Sequence, residues 1–119
     1  MDARQLGKWG EEQALGFLNR LGYITVATRF RSRFGEIDLI VKDHDFLVFV
    51  EVKLRKNADF AEAREYVGWA KQKKLTATAN LWLISHSTKL QPRFDVIEIY
   101  AQEGENTKSP EITHIENAF

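Results

Sequence analysis

Near the start of the chain Leu6, Trp9, Ala14, Phe17, Leu18 and Leu21 recur at helical spacing, which puts them on one face of a 3.6-residue period. Asp2 with Gln5 three residues later has the spacing of a capping box, and Gly22 supplies a stop, so a first helix is predicted between them. On its wheel Glu12 falls opposite the apolar stripe with Lys8 and Asn19. Glu11 lies at the stripe's margin beside Ala14 and Leu18, where it can reach across whatever the helix packs on. Residues 23–30 alternate as a strand does, with Ile24, Val26 and Phe30 on one side and Arg29 on the other. Two further apolar runs, 37–41 and 46–54, flank the polar tetrad Lys42, Asp43, His44 and Asp45, the pattern of two strands joined by a short hairpin loop. In the second run Phe46, Val48, Val50, Val52 and Leu54 fill one face while Leu47 and Phe49 begin the other, as in a central strand buried on both sides.

Residues 56–59 are polar, and 60–67 read as a loop with a helical turn for which Asp59 and Glu62 offer a cap. From Trp69 to about Ser85 a second helix is predicted by the stripe Leu75, Ala79, Trp82 and Leu83. Lys71, Lys73 and Lys74 crowd its first turns, where positive charge opposes the helix dipole and calls for carboxylates or an external anion. Pro92 introduces a strand over 93–100, residues 102–110 form a loop, and 111–115 read as a short last strand. The order predicts one α/β domain over residues 1–119 with an αβββαβ core, a mixed central sheet and a short extra C-terminal strand. Its first three strands form a meander, and the second helix crosses over, right-handed, to set strand 93–100 parallel to the strand carrying Glu51.

Length and composition narrow the chemistry. A chain of 119 residues, 44% hydrophobic and 29% charged, builds one core and is not compositionally disordered. No apolar run is long enough to span a membrane and the first residues do not read as a signal sequence, so a cytoplasmic protein is expected. The absence of cysteine excludes disulfides, thiolate nucleophiles and Cys-type zinc sites. His44, His86 and His114 stand at no ligand spacing, so any metal would be a hard cation held by oxygens. Seventeen basic and seventeen acidic residues cancel, leaving only local clusters to bind a polyanion.

Within the hairpin sit four residues that buried strands normally exclude. Alternation puts Glu36 and Asp38 on one side of the first strand, and Glu51 and Lys53 on one side of the second. A buried carboxylate has to meet a cation, a metal ion or solvent; locally, Glu51 and Lys53 also fit a simple pair at a sheet edge. Upstream, Arg29, Arg31 and Arg33 project together if the chain stays extended, and three guanidiniums running into the Asp38 strand suit phosphate groups, or equally a solvated edge.

Asp38, twelve intervening residues and Glu51-Val52-Lys53 resemble the Asp…Glu-x-Lys core of the PD-(D/E)xK nuclease superfamily, without its proline. The strings R-F-G-E-I-D-L-I (from Arg33) and V-F-V-E-V-K (from Val48) are more specific. With G-E-E-Q-A from Gly10, R-F-D-V-I from Arg93 and H-I-E-N-A-F from His114, they resemble the YraN-like family, small bacterial proteins related to Holliday-junction resolvases. The resemblance covers most of the chain and implies a restriction-endonuclease-like fold, which agrees with the element order read from periodicity.

It further implies Mg²⁺ or Mn²⁺ held by Asp38, Glu51 and the Val52 carbonyl, with Lys53 orienting the attacking water. It gives Glu11 a supporting catalytic role, matches Lys71 to a family lysine, and makes nucleic acid, first of all DNA in branched or non-standard structures, the expected partner of Lys71 and the three arginines. Glu36, two residues before Asp38 on the same face, is a further candidate for a supporting or second-metal role that the wider superfamily does not require. Whether such a protein acts as a homodimer is open. The rivals are a non-catalytic nucleic-acid-binding module that keeps the fold and, more weakly, a hydrolase of small phosphoesters.

Overall fold

The structure, a computed structural model, describes residues 2–55 and 67–119. The polar stretch at 56–59 and the turn expected from residue 60 lie outside the described residues. Helix α1 is Ala3–Arg20 and opens on the expected box, with the Asp2 carboxylate accepting from Gln5 N at 2.8 Å and the Gln5 side chain accepting from Asp2 N at 3.1 Å. It closes at Gly22, whose φ of 99° lets the N–H groups of Gly22 and Tyr23 turn back onto the carbonyls of Asn19 and Leu18.

Strands β1 (Ile24–Ser32), β2 (Gly35–Lys42) and β3 (Phe46–Arg55) follow, then helix α2 (Trp69–Ser85), β4 (Gln91–Tyr100), a 3₁₀ turn at Gly104–Asn106 and β5 (Glu111–Ile115). The five strands lie in the order β1-β2-β3-β4-β5, with β3 and β4 parallel and every other neighbour antiparallel. This is the predicted αβββαβ order in a mixed sheet with a short fifth strand. The Asp43 carboxylate turns the β2–β3 hairpin by accepting from Asp45 N and Phe46 N, each at 2.8 Å. No helix among the described residues is long and apolar enough to cross a membrane.

Among the described residues, one helix packs on each face of the sheet. Val48, Val50, Leu39, Val41, Ile97 and Ile99 pack against Ala14 and Leu18 of α1, whereas Leu47, Phe49, Ile37, Ile40 and Val96 pack against Leu75, Ala79 and Trp82 of α2. β3 is thus buried on both faces, as its two-sided apolarity requires, at roughly 1.5–3 kcal/mol per large side chain removed from water. A Cβ on Gly10 would come within 3.1 Å of the Leu54 side chain, so glycine is what lets the middle of α1 press against the far end of β3.

β1 departs from the expected alternation. Ile24 is 59% exposed and Val26 37%, because a register shift between Thr25 and Ala27 and a φ of 51° at Arg29 re-aim side chains along this edge strand. Phe30 alone of that trio packs inward, edge-on to Trp82 at 5.2 Å between centroids.

A forked strand pair as candidate active site

The candidate site is created by a fork in the sheet. The β2–β3 ladder runs from Lys42↔Leu47 only as far as Leu39↔Val50; β2 continues towards Gly35 paired with β1 alone, while β3 continues to Arg55 paired with β4 alone. Asp38 stands where the strands part. Its Oδ2 accepts from Val52 N at 2.8 Å, taking the place of the missing ladder partner. Ile37 and Leu39 belong to cores on opposite faces, so the simple alternation that would align Glu36 with Asp38 is interrupted at Asp38.

Burial in the fork and the nearby Glu51 carboxylate push Asp38 up from its ordinary value to about 7, with the Val52 N–H acting in the other direction and Glu11 and Glu36 adding smaller repulsions. Glu51 is buried on the α2 side, where its Oε1 accepts from Lys71 Nζ at 2.6 Å. Lys53, two residues on, is held below its ordinary range by burial and by the charge of Lys71, against the pull of Glu51 and Glu98. Among the described residues no three acidic or histidine side chains form one cation-holding group.

The supporting acids are engaged separately. Glu11, brought in by the close approach at Gly10, accepts from Arg29 Nε at 2.8 Å. Glu36 lies 3.4 Å from Arg31 across the β1–β2 ladder. Arg33 places its guanidinium 4.9 Å above the Phe34 ring. The three arginines do not form the common row expected of an extended chain, since the positive φ at Arg29 turns that side chain away to α1.

Two buried charges on β4 were not singled out by the sequence reading. Glu98, opposite Lys53 in the parallel register, is wholly buried, 3.6 Å from Arg55 and 3.5 Å from the Tyr100 hydroxyl. Asp95, equally buried, is bound by Arg93 through two hydrogen bonds of 2.8 Å, by His114 Nε2 at 2.7 Å and by Asn117 N at 3.0 Å. The available signal was the presence of these acids in a strand otherwise apolar at its centre.

A model of the family described as "Uncharacterised protein family UPF0102" matches residues 10–99, a span that contains Glu11, the fork and Lys71. The chain belongs to the UPF0102 family. This is the YraN-like family that the strings around Asp38 and Glu51 resemble. The UPF0102 protein of Aliivibrio fischeri strain MJ11 is 40% identical over 119 residues, covering 98% of this chain and 92% of its own length. A UPF0102 protein of Caldicellulosiruptor saccharolyticus is 38% identical over 122 residues with both chains fully covered. One from Clostridium botulinum strain Hall is 36% identical over 118 residues, 98% of this chain and 94% of that one. This UPF0102 member is therefore similar to its relatives across essentially its whole length.

Proposed function

We propose that this protein is a divalent-metal-dependent endonuclease-like enzyme that hydrolyses phosphodiesters of DNA. One observation supports the reading: at the fork the half-buried Asp38 carboxylate feels the repulsion of the buried Glu51 carboxylate, with a lysine two residues beyond Glu51, an arrangement that disfavours the metal-free state electrostatically. The donor chemistry fits a hard cation, since Asp38, Glu51 and the Val52 carbonyl all offer oxygen, and Mg²⁺ is held by one or two carboxylates with water in the remaining positions. When bound there, Mg²⁺ or Mn²⁺ would neutralise charge on the phosphate and acidify water. Lys53 contributes a fixed positive charge beside the water that attacks, lowering the cost of its hydroxide form. Glu11 and Glu36 add negative charge near Asp38 and pair with Arg29 and Arg31 at its margin.

The binding-module alternative is favoured by one interaction, the 2.6 Å pair in which Lys71 already satisfies Glu51. Cleavage of labelled DNA in Mg²⁺, Mn²⁺ and chelator separates the two: the nuclease reading expects metal-dependent cutting that Glu51→Gln abolishes, and the absence of cutting with either metal would reject it.

A second test needs no substrate. Because Asp38 binds its proton more tightly in the folded state, its stabilising contribution is full below the unfolded value of 3.8 and is lost as pH rises through about 7. In chelator, Asp38→Asn should therefore match the parent at about pH 4 and exceed it by ~1–2 kcal/mol at about pH 8. Mn²⁺ should raise the parent's unfolding temperature and leave the variant's unchanged. A variant destabilised at both pH values, with a parent indifferent to Mn²⁺, would make Asp38 a purely structural residue.

The arginines yield a third expectation. Arg31 and Arg33 are exposed, so replacing both with Ala should reduce the salt dependence of DNA binding by about one unit of log–log slope for each phosphate that is no longer neutralised. An unchanged slope would remove them from the interface.

A further inference from the structure

The two large apolar side chains most open to solvent among the described residues both belong to α2: Trp69 at 72% and Ile84 at 80% exposure. They are separated by roughly four helical turns and so share one side of the helix. Lys73, Thr76, Ala77 and Asn80 continue the strip between them. It runs opposite the side on which Leu75, Ala79 and Trp82 enter the core. A cavity of about 370 Å³ lies over its first part, bounded among others by Trp69, Lys73, Thr76, Ala77 and Asn80. A single exposed apolar residue is ordinary on a protein surface. What distinguishes this strip is its symmetry. Counted from the midpoint between Thr76 and Ala77, Trp69 and Ile84 lie at equal distances on either side, and so do Lys73 and Asn80.

We infer that this strip of α2 docks a second copy of the chain, packed antiparallel about a two-fold axis at the Thr76–Ala77 midpoint. A two-fold contact requires one patch to be complementary to itself, and this register supplies that. Each Trp69 meets Ile84 of the other copy, each Lys73 meets Asn80, and the small Thr76 and Ala77 stand where the helix axes approach to about 8–10 Å. Charge selects the antiparallel arrangement. Lys73, whose ammonium lies 4.2 Å over the Trp69 ring, is the strip's one charged residue. Antiparallel packing sets the two Lys73 residues about 10 Å apart along the axis, each opposite an amide oxygen able to accept from it, whereas parallel packing would bring them face to face. The chain's formal net charge of zero adds no long-range repulsion between copies. A helix of 17 residues is about 25 Å long, and a pair of them covers on the order of 1,000 Å², the lower end for a specific contact. The dimer therefore forms reversibly with concentration, anchored by an indole at each end. Lys71 holds Glu51 from another side of the helix, so pairing leaves the fork uncovered and the inference stands apart from the reaction proposed there.

Sedimentation velocity of the full chain, from low micromolar to submillimolar concentration, should show a monomer passing into a dimer. Trp69→Lys and Ile84→Glu should each weaken that dimer at least about tenfold. An equimolar mixture of the two variants should recover it, because a mixed pair keeps one Trp69–Ile84 contact and sets the new ammonium against the new carboxylate at the other end. Ile24→Lys, at an apolar residue 59% exposed on the edge strand β1, should change nothing. The chain has no cysteine, so on mild oxidation Thr76→Cys should give a disulfide-linked dimer, while Lys73→Cys, about 10 Å from its symmetry mate, should not. A chain that stays monomeric throughout, or a dimer indifferent to both Trp69→Lys and Ile84→Glu, would overturn the inference. So would a mixture no stronger than its components, dissociation by Ile24→Lys, or crosslinking of Lys73→Cys in preference to Thr76→Cys.

Discussion

Asp95→Ala is expected to destabilise the fold by ~3–5 kcal/mol, the usual cost of stripping one partner from a buried ion pair. The loss follows from what the carboxylate holds. Arg93, only 10% exposed, spends two hydrogen bonds on Asp95 and a third, at 2.8 Å, on the Tyr23 hydroxyl, while its guanidinium lies 4.7 Å above the Phe46 ring. His114 of β5 and the Asn117 amide close the other side. One residue thereby ties the end of α1, the start of β3, β4 and the C-terminal segment together. Burial by itself would raise the Asp95 pKa, but the hydrogen bonds from His114, Arg93 and Asn117 outweigh it and hold the group below its ordinary 3.8.

Its contribution is then full above the unfolded value and is lost as pH falls through the lower folded one. Urea unfolding of parent and variant should accordingly show a wide gap at about pH 7 that narrows towards about pH 2. In thermal melts at neutral pH the drop should be on the order of 10 °C or more. Asp95→Asn should fall between, and adding Arg93→Met to Asp95→Ala should recover stability by removing the orphaned cation. A loss below ~1 kcal/mol at neutral pH would show that solvent reaches this network freely.

How legible each feature was depended on how local its physics is. The capping box at Asp2 and the glycine at position 22 involve residues within one turn of each other, and both form as spacing alone dictates. The hairpin and the two-sided burial of β3 were equally readable, because alternation in a central strand is enforced by packing on both faces. At the edge that enforcement is missing. The bulge after Thr25 and the positive φ at Arg29 leave no mark in the hydrophobic pattern, which is why Ile24 and Val26 read as sharing one side with Phe30, and why the common row of arginines, which required an extended chain, does not form. The fork lies beyond sequence for a related reason: that Val52 N–H is satisfied by a side chain fourteen residues earlier is a matter of where two strands part. Sequence could name Asp38 and Glu51 but not the gap between them. Asp95 and Glu98 were passed over because period-two patterning counts a charge as an exposed position, whereas a strand covered on both faces can hide one if long-range partners such as His114, or Arg55 in the neighbouring strand, come to it.

If the protein is the nuclease proposed above, Lys53→Met should lower the rate of metal-dependent DNA cleavage by at least ~10²-fold while leaving DNA affinity and Mn²⁺ affinity nearly unchanged. Methionine keeps most of the length and apolar stem of lysine, so the packing of the β3 end against its neighbours is preserved and the difference reduces to one positive charge. Where that charge acts decides what is lost. Lys53 is crowded by Lys71 and offset by Glu51 and Glu98, and it is partly buried, so it offers less to phosphates in solvent than a surface lysine does. Lys71, with its exposed stem and its 2.6 Å hold on Glu51, is placed to meet them, and Lys71→Met should raise KM more than it lowers kcat. In the proposed mechanism Lys53 stands beside the carboxylates at which hydroxide would be generated, where a fixed charge is worth more as negative charge develops than in the ground state. A kcat loss with KM unchanged is therefore the signature of Lys53. If Lys53→Met instead cuts at the parental rate, or if its loss is confined to KM, the lysine is a binding group and the water must be activated by the carboxylates alone.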